Sequence, residues 1–407
     1  MTLMKQSVSL REIKKAALRL KNVVYKTPLV YSYSLSEVSR ANLYLKLENL
    51  QRTGSFKIRG AYNKLYSLRG KANCVVAASA GNHAQGVALA ARLLGIKAIL
   101  VMPEGTPINK VLGVKRYGAE IILYGDTFDD AYRYARQLEV KHGYVFIHAF
   151  DDPEVISGQG TIGLEIVESL KNVEAVLVPV GGGGLISGIS VALKERNPGI
   201  KVVGVQSSSV PSMFMSVKKG KIVEARGFVQ TIADGIAVKR VGEITYNIVK
   251  RYVDDIYTVD EDEIEDALLL LTERKRVVVE GAGTVGLAGL LKKKNEFKNK
   301  NTVVVISGGN IDINVLARII ERGLVKSGRL LRLVVELPDV PGSLGKLASL
   351  LGKVKANIVQ IFHDRFSRNI PIDKAIVEIT LETKSFNHQK EILKLLRQSG
   401  YNPVQKG

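Results

Sequence analysis

Short apolar runs rich in β-branched residues recur along most of the chain, and stretches with apolar positions three or four residues apart fall between them. Residues 73–78, 98–102, 120–124, 175–180, 201–206 and 302–306 read as strands; residues 84–94, 127–141, 158–170 and 260–274 read as helices. Strands without polar alternation are buried on both faces. Their alternation with helices predicts parallel sheets covered on both sides. The units fall into two clusters, which predicts two α/β domains with a cleft between them. Near the N-terminus, Ser9 and Glu12 predict a capping box opening a helix with Ile13, Ala16, Ala17 and Leu20 on one face.

The pattern changes after a polar, glycine-bearing stretch at 323–330. A strand at 331–337 is followed by the turn Asp339-Val340-Pro341-Gly342-Ser343 and a helix bearing Leu344, Leu347, Leu350 and Leu351. Strands at 357–365 and 374–381, a helix at 388–398 and a last strand at 401–404 complete a βαββαβ order, the ferredoxin-like arrangement. The longest uncharged stretch, 175–193, is nominally long enough to span a bilayer. Pro179 and four consecutive glycines at its centre would leave backbone groups unpaired in lipid, so it predicts strand, loop and helix instead. A cytoplasmic protein without a membrane segment is expected.

Composition narrows the chemistry. A single cysteine, Cys74, excludes an internal disulfide framework and a cysteine-based metal cage. The formal charge of +20 raises nucleic-acid binding as a competing class. Its best stretch, Lys292-Lys293-Lys294 with Lys298 and Lys300, reads as a solvated helix end, with no recognition helix or aromatic pattern beside it. The excess is spread along the chain, since residues 331–407 hold 12 basic and 7 acidic side chains. No nucleic-acid partner is expected.

Four segments hold candidate chemistry. Thr53-Gly54-Ser55-Phe56-Lys57-Ile58-Arg59-Gly60 sets a lysine among small residues, where burial would make its amine nucleophilic; otherwise it is one more surface lysine. Ser79-Ala80-Gly81-Asn82-His83-Ala84-Gln85-Gly86 follows a strand and opens a helix, which suits an anion at the helix N-terminus or an ordinary turn capped by Asn82. Gly181-Gly182-Gly183-Gly184-Leu185-Ile186-Ser187-Gly188 brings backbone close to something, and a phosphate is the natural occupant. It matches neither the Walker nor the dinucleotide spacing. Ser307-Gly308-Gly309-Asn310 lies at a strand's carboxyl end, where ligands bind in open parallel sheets. An amine nucleophile, a phosphate cradle and neutral polar groups at strand ends form the inventory that pyridoxal phosphate needs.

These segments, in this order, closely resemble those of the serine/threonine dehydratases, and Thr231-Ile232-Ala233-Asp234-Gly235-Ile236-Ala237-Val238 is a further match. The resemblance covers roughly residues 5–325. Residues 331–407 resemble an ACT domain, the regulatory module attached to amino-acid enzymes, and the layout is similar to threonine ammonia-lyases with one C-terminal ACT domain. The resemblance implies two parallel-sheet α/β domains of the fold-type II pyridoxal-phosphate (tryptophan synthase β-like) class: a large one at 1–48 and 150–322, and a small one at 49–149. A linker at 323–330 would lead to the ACT domain. Lys57 would hold the cofactor as a Schiff base, with Phe56 beside the ring and Asn82 at the ring hydroxyl. Gly181, Gly182, Gly183, Gly184 and Leu185 would take the phosphate, and Ser307 would face the ring nitrogen. Ser79, Ala80, Gly81, Asn82 and His83 would bind the substrate carboxylate. Glu280 would lie near the cofactor.

The resemblance further implies elimination of water from L-threonine, with L-serine as a second substrate. An amino-acid effector would bind near Asp339, Gly342, Asn357 and Ile358, in a homo-oligomer, dimer or tetramer. Serine racemase is the nearest alternative. Racemases place a proton-transferring serine after Ser79, where this chain has Ala80. The glutamate of the racemase-type metal site falls at Gln206, so no metal is expected. A sensor that has lost catalysis is the third reading, against which Lys57, Asn82, the glycine loop and Ser307 all stand.

Overall fold

The computed structural model describes residues 8–225 and 231–406. The chain divides into two compact units, residues 1–311 and 312–407. The first holds two sheets. In the larger, the order is Leu29–Tyr31, Asn42–Leu47, Asn301–Ile306, Ala175–Pro179, Lys201–Ser207 and Asp255–Val259. All neighbours run parallel except the edge strand Leu29–Tyr31, which is antiparallel to Asn42–Leu47. The smaller sheet orders Glu120–Leu123, Lys97–Met102, Cys74–Ala78 and Val145–Phe146, all parallel.

The central strands Cys74–Ala78 and Ala175–Pro179 are buried at every residue. That burial is why their sequences lack polar alternation. From their carboxyl ends the chain turns straight into the helices Asn82–Leu94 and Gly184–Lys194, so both motif loops lie on the ligand-binding side of their sheets. The helix Pro153–Ser169 starts five residues before the expected 158, because Asp152 accepts from the N–H groups of Glu154 and Val155 and Pro153 opens the first turn. At the N-terminus, Ser9 caps the helix Leu10–Leu20 as expected, with Ile13, Ala16 and Leu20 buried. Only half of the capping box forms there, since Glu12 pairs with Lys15 instead. The expected helix at 260–274 changes winding at its end: Glu261–Leu270 is α-helical and Leu271–Lys275 is a π-turn closed by Arg276 at φ 55°.

The second unit opens with the helix Ile313–Lys326, which takes in the first half of the expected linker. Its sheet orders Asn357–Asp364, Lys374–Glu382, Leu330–Pro338 and Val404–Lys406, every pair antiparallel. With the helices Ser343–Lys353 and Phe386–Gln398 this is the βαββαβ ferredoxin-like order. Alternate residues Leu331, Leu333, Val335 and Leu337 meet Leu347, Leu351, Ile392 and Leu396 in a core of the unit's own. The last strand comes later than expected because Tyr401 is still closing the preceding helix, its N–H on the Leu396 carbonyl. Among the described residues no helix is long and apolar enough to cross a membrane.

Candidate active site

Lys57 is the first residue of the helix Lys57–Ser67. The loop before it is fastened to the Ser307 segment. Phe56 N–H donates to the Ser307 carbonyl at 3.1 Å, and Gly309 N–H to the Gly54 carbonyl at 2.9 Å. Ser55 pairs with Gly308 in an isolated bridge, and Asn310 Nδ2 donates to the Thr53 carbonyl at 2.9 Å. Lys57 Nζ donates to the Ala149 carbonyl at 3.0 Å and lies 5.3 Å from the centre of the Phe56 ring. Burial pulls this amine down to about 8, against a smaller opposing pull from Glu280.

Glu280 sits at the start of the helix Gly281–Lys292, its backbone N–H on the Gly308 carbonyl at 3.1 Å. A Cβ at Gly308 would collide with its carboxylate, which accounts for glycine there. Asn82 Nδ2 donates to Glu280 Oε1 at 2.7 Å, while Asn310 Nδ2 donates to Asn82 Oδ1. Burial, with Asp234 nearby, pushes the Glu280 carboxyl up to about 7, held back by the Asn82 hydrogen bond and by Lys110 and Lys57. The site therefore holds an amine and a carboxyl that both titrate near neutrality.

The 79–83 loop divides in its accessibility. Gly81 faces open space, with no atom within 4 Å of where a Cβ would stand. Ser79 Oγ accepts from Gly81 N–H at 3.2 Å. His83 does not face the cleft with its ring: it is buried, with Nε2 3.0 Å from the Ile147 carbonyl. Burial, reinforced by Lys57, drops this imidazole to about 3, so it is neutral. What His83 presents to a ligand is its backbone N–H in the first turn of the helix.

The glycine loop leads into the helix Gly184–Lys194, whose first-turn N–H groups have no partner within the helix. Gly183 takes φ 96°, which a side chain would resist. A Cβ at Gly182 would enter the Phe150 ring, and one at Gly181 would lie 3.0 Å from the Ile236 backbone. Leu185 is buried behind the loop. Thr245 Oγ1 fixes the loop's other side by donating to the Gly182 carbonyl at 2.7 Å.

Segment 147–152 carries no sequence motif, yet it touches nearly every part of the site. Its Ile147 carbonyl holds His83, its Ala149 carbonyl holds Lys57, and Phe150 lies against Gly182 and Gly184. His148 Nδ1 accepts from Asp151 N–H at 2.8 Å, and burial lowers the proton affinity of the ring. Asp151 in turn accepts from Glu243 and Thr245 N–H groups, opening the helix Glu243–Tyr252. The strand before it, Val145–Phe146, has two residues, too few to register as a period. Gln206 acts locally, its Oε1 accepting from Met213 and Phe214 N–H groups at 3.1 and 3.0 Å and so capping the helix Ser212–Lys219.

In the C-terminal unit the four expected effector residues do not meet within one chain. Asn357 is in register with Glu382, whereas Pro338, next to Asp339, is in register with Lys374. That separates the two ends by about 25 Å along the sheet. Asp339 is engaged by Arg365 at 2.9 Å, and Asn357 Nδ2 donates to Glu382 at 3.2 Å. Gly342 takes φ 89° at the start of a helix, and Ile358 packs against the unit's core.

These residues fit a phosphorylated aldehyde cofactor. They offer an amine of lowered proton affinity, first-turn N–H groups for a phosphate, and a neutral hydroxyl, Ser307, at a strand end. Ser55 Oγ, in the loop before Lys57, is buried without a hydrogen-bond partner among the described residues.

A sequence-family profile described as pyridoxal-phosphate dependent enzyme matches residues 20–308. An L-threonine ammonia-lyase of Thermotoga maritima is 51% identical over 396 residues, covering 97% of this chain and 98% of that protein. Among solved structures, the processed form of threonine deaminase isoform 2 from Solanum lycopersicum superposes with a TM-score of 0.74 at 38% identity. It covers 78% of this chain and 91% of its own. Maize serine racemase follows with a TM-score of 0.73 at 34% identity, over 79% of this chain and 99% of its own.

Proposed function

The chain belongs to the family of pyridoxal-phosphate dependent enzymes, and on that premise we propose that it converts L-threonine to 2-oxobutanoate and ammonia, with L-serine, giving pyruvate, as a second substrate. The observation that supports this best is the Lys57 amine, lowered to about 8 and interlocked through its loop with the Ser307 segment. When bound, pyridoxal phosphate supplies the electron sink that makes the substrate's α-hydrogen acidic. Lys57 is the residue to hold it and, once free, to take up the α-proton.

Phe56 is assigned the side of the ring and Asn82 its hydroxyl. The phosphate is assigned to Gly181, Gly182, Gly183, Gly184 and Leu185 through their N–H groups. Ser307 serves the ring nitrogen without charge, which favours rapid loss of a β-leaving group. The 79–83 loop takes the substrate carboxylate at the N-terminus of the helix Asn82–Leu94. Glu280, hydrogen-bonded to Asn82, is a proton reservoir close at hand.

Racemisation is the second reading, favoured by the likeness to maize serine racemase. Ala80 opposes it: a methyl group packed against the apolar cluster of the small sheet cannot return a proton. One assay separates the two. Pure protein with pyridoxal phosphate and L-threonine is expected to release 2-oxobutanoate, and Lys57→Ala to abolish it. Oxo acid from the variant, or D-amino acid without oxo acid from the parent, would overturn the proposal.

The reading extends to the C-terminal unit as an ACT domain. Its strand Asn357–Asp364 is an unpaired sheet edge exposing Val359 and Phe362 at 59% and 60%. A second copy pairing antiparallel along this edge would bring the Asn357 end of one strand beside the Asp339 end of the other. That is the expected amino-acid effector site, and it makes the enzyme a homo-oligomer. A cytoplasmic setting goes with the single, unpaired Cys74.

A further inference from the structure

Arg59 stands two residues after Lys57, in the same first turn of the helix Lys57–Ser67, and has no part in the function proposed above. It is fully buried. Its guanidinium meets two carboxylates with two bonds each. Nε and Nη2 donate to Glu48 Oε2 and Oε1, both at 2.8 Å, and Nη1 and Nη2 to Glu165 Oε1 and Oε2 at 2.6 and 3.0 Å. Further bonds reach Thr161 Oγ1 and the Tyr25 carbonyl, each at 3.2 Å. Lys46 completes the group, its Nζ 2.5 Å from Glu165 Oε2 and 2.7 Å from the Thr27 carbonyl. Two cations and two carboxylates thus neutralise one another inside the protein.

We propose that Arg59 is a positioning residue for Lys57: this buried cluster sets the rotation of the lysine helix about its own axis and thereby aims the reactive amine. Residues two apart lie about 200° around a helix, so a side chain drawn into the cluster sends Lys57 to the opposite side. Two further directional contacts lie on the same helix, Gly60 N–H to Gln159 Oε1 at 3.2 Å and, a turn on, Asn63 Nδ2 to the Glu154 carbonyl at 2.7 Å. Each is a neutral bond weaker than the charged fork, and the apolar contacts of the turn do not fix rotation. Ile58, Ala61, Tyr62 and Leu65 belong to the apolar core of the smaller sheet, and apolar contact is non-directional. Two close backbone approaches flank the turn. A Cβ at Gly158 would stand 2.5 Å from the Arg59 carbonyl, and one at Gly86 would stand 3.0 Å from the Lys57 backbone, so at these two points backbone meets backbone.

A planar fork bound by two carboxylates is directional, and it is anchored outside the lysine helix. Glu48 follows the strand Asn42–Leu47, which supplies Lys46, and Glu165 and Thr161 stand on Pro153–Ser169.

The proposal rests on Lys57 being the reactive amine, and its test keeps the two apart. Arg59→Lys keeps the charge and loses the fork; Thr161→Val removes a single partner. In cofactor-free protein, the pH dependence of Lys57 acylation, read by peptide mass spectrometry, reports where the amine sits. The midpoint is expected to rise from about 8 toward the ordinary 10.5 in Arg59→Lys, and part of the way in Thr161→Val. In the loaded enzyme kcat is expected to fall about tenfold or more in Arg59→Lys, with KM within about threefold, and about two- to fivefold in Thr161→Val. Variants that melt earlier but keep the parental acylation midpoint and kcat would reduce Arg59 to a stabilising residue and overturn the proposal. If Arg59→Lys fails to fold, Thr161→Val decides. A parent enzyme without oxo-acid formation would overturn the proposed reaction and leave the acylation arm to judge Arg59.

Discussion

Below pH 8 Lys57 is protonated whether the chain is folded or not, and folding then forces its charge out of water. With 10.5 as the ordinary value and about 8 in the fold, the unfolded chain binds the proton more tightly. The resulting penalty is present at neutral pH and fades as the pH rises from 8 toward 10.5. Cofactor-free Lys57→Met is therefore expected to be more stable than its parent by about 1–3 kcal/mol at pH 7, with the gap closing by pH 10.5. Urea unfolding of the two apoproteins at both pH values measures this. A fixed gap, or none, would show that burial does not set the amine's proton affinity. At this scale the segments of Lys57, Asn82 and Ser307, which the fold brings together, stood out because each sets a polar or reactive side chain among small residues at a turn. Arg59 stood in the same motif unread: an arginine reads as surface unless its carboxylates are known, and Glu165 lies 106 positions away.

Loops between elements bear the candidate site, and the glycine loop is closely packed against Phe150. Gly182→Ala forces the new methyl group into the Phe150 ring, an overpacking worth about 1–3 kcal/mol. Phe150 adjoins Ala149, whose carbonyl holds Lys57, so the variant is also expected to lose cofactor on dilution. Adding Phe150→Ala should make the pair less destabilised than the sum of the single changes. Strict additivity in a denaturation cycle would separate the loop from Phe150. The strands and motif loops were readable from their β-branched runs and small residues. Segment 147–152 was not, since the strand before it is two residues long and it holds Lys57 and His83 through carbonyls that any sequence supplies.

Over the whole molecule, two units with separate cores imply separable behaviour. Residues 312–407 produced alone are expected to unfold in one cooperative step by circular dichroism. Residues 1–311 should retain threonine turnover and lose any response to added amino acids. A C-terminal fragment without a transition would mean that its core is insufficient by itself. The change of pattern near residue 323 announced the second module. The sequence did not indicate that the helix Ile313–Lys326 groups with it, because one amphipathic stripe is compatible with either core.

The neutral cluster around Arg59 has a thermal side. The cost of taking charged groups out of water falls as temperature rises, while the gain per unit of buried apolar area levels off. An ion-held lysine turn therefore tightens, relative to the apolar contacts around it, as the protein is warmed. Arg59→Lys should accordingly lose more of its relative turnover in the heat than in the cold, giving the variant a flatter Arrhenius plot than its parent.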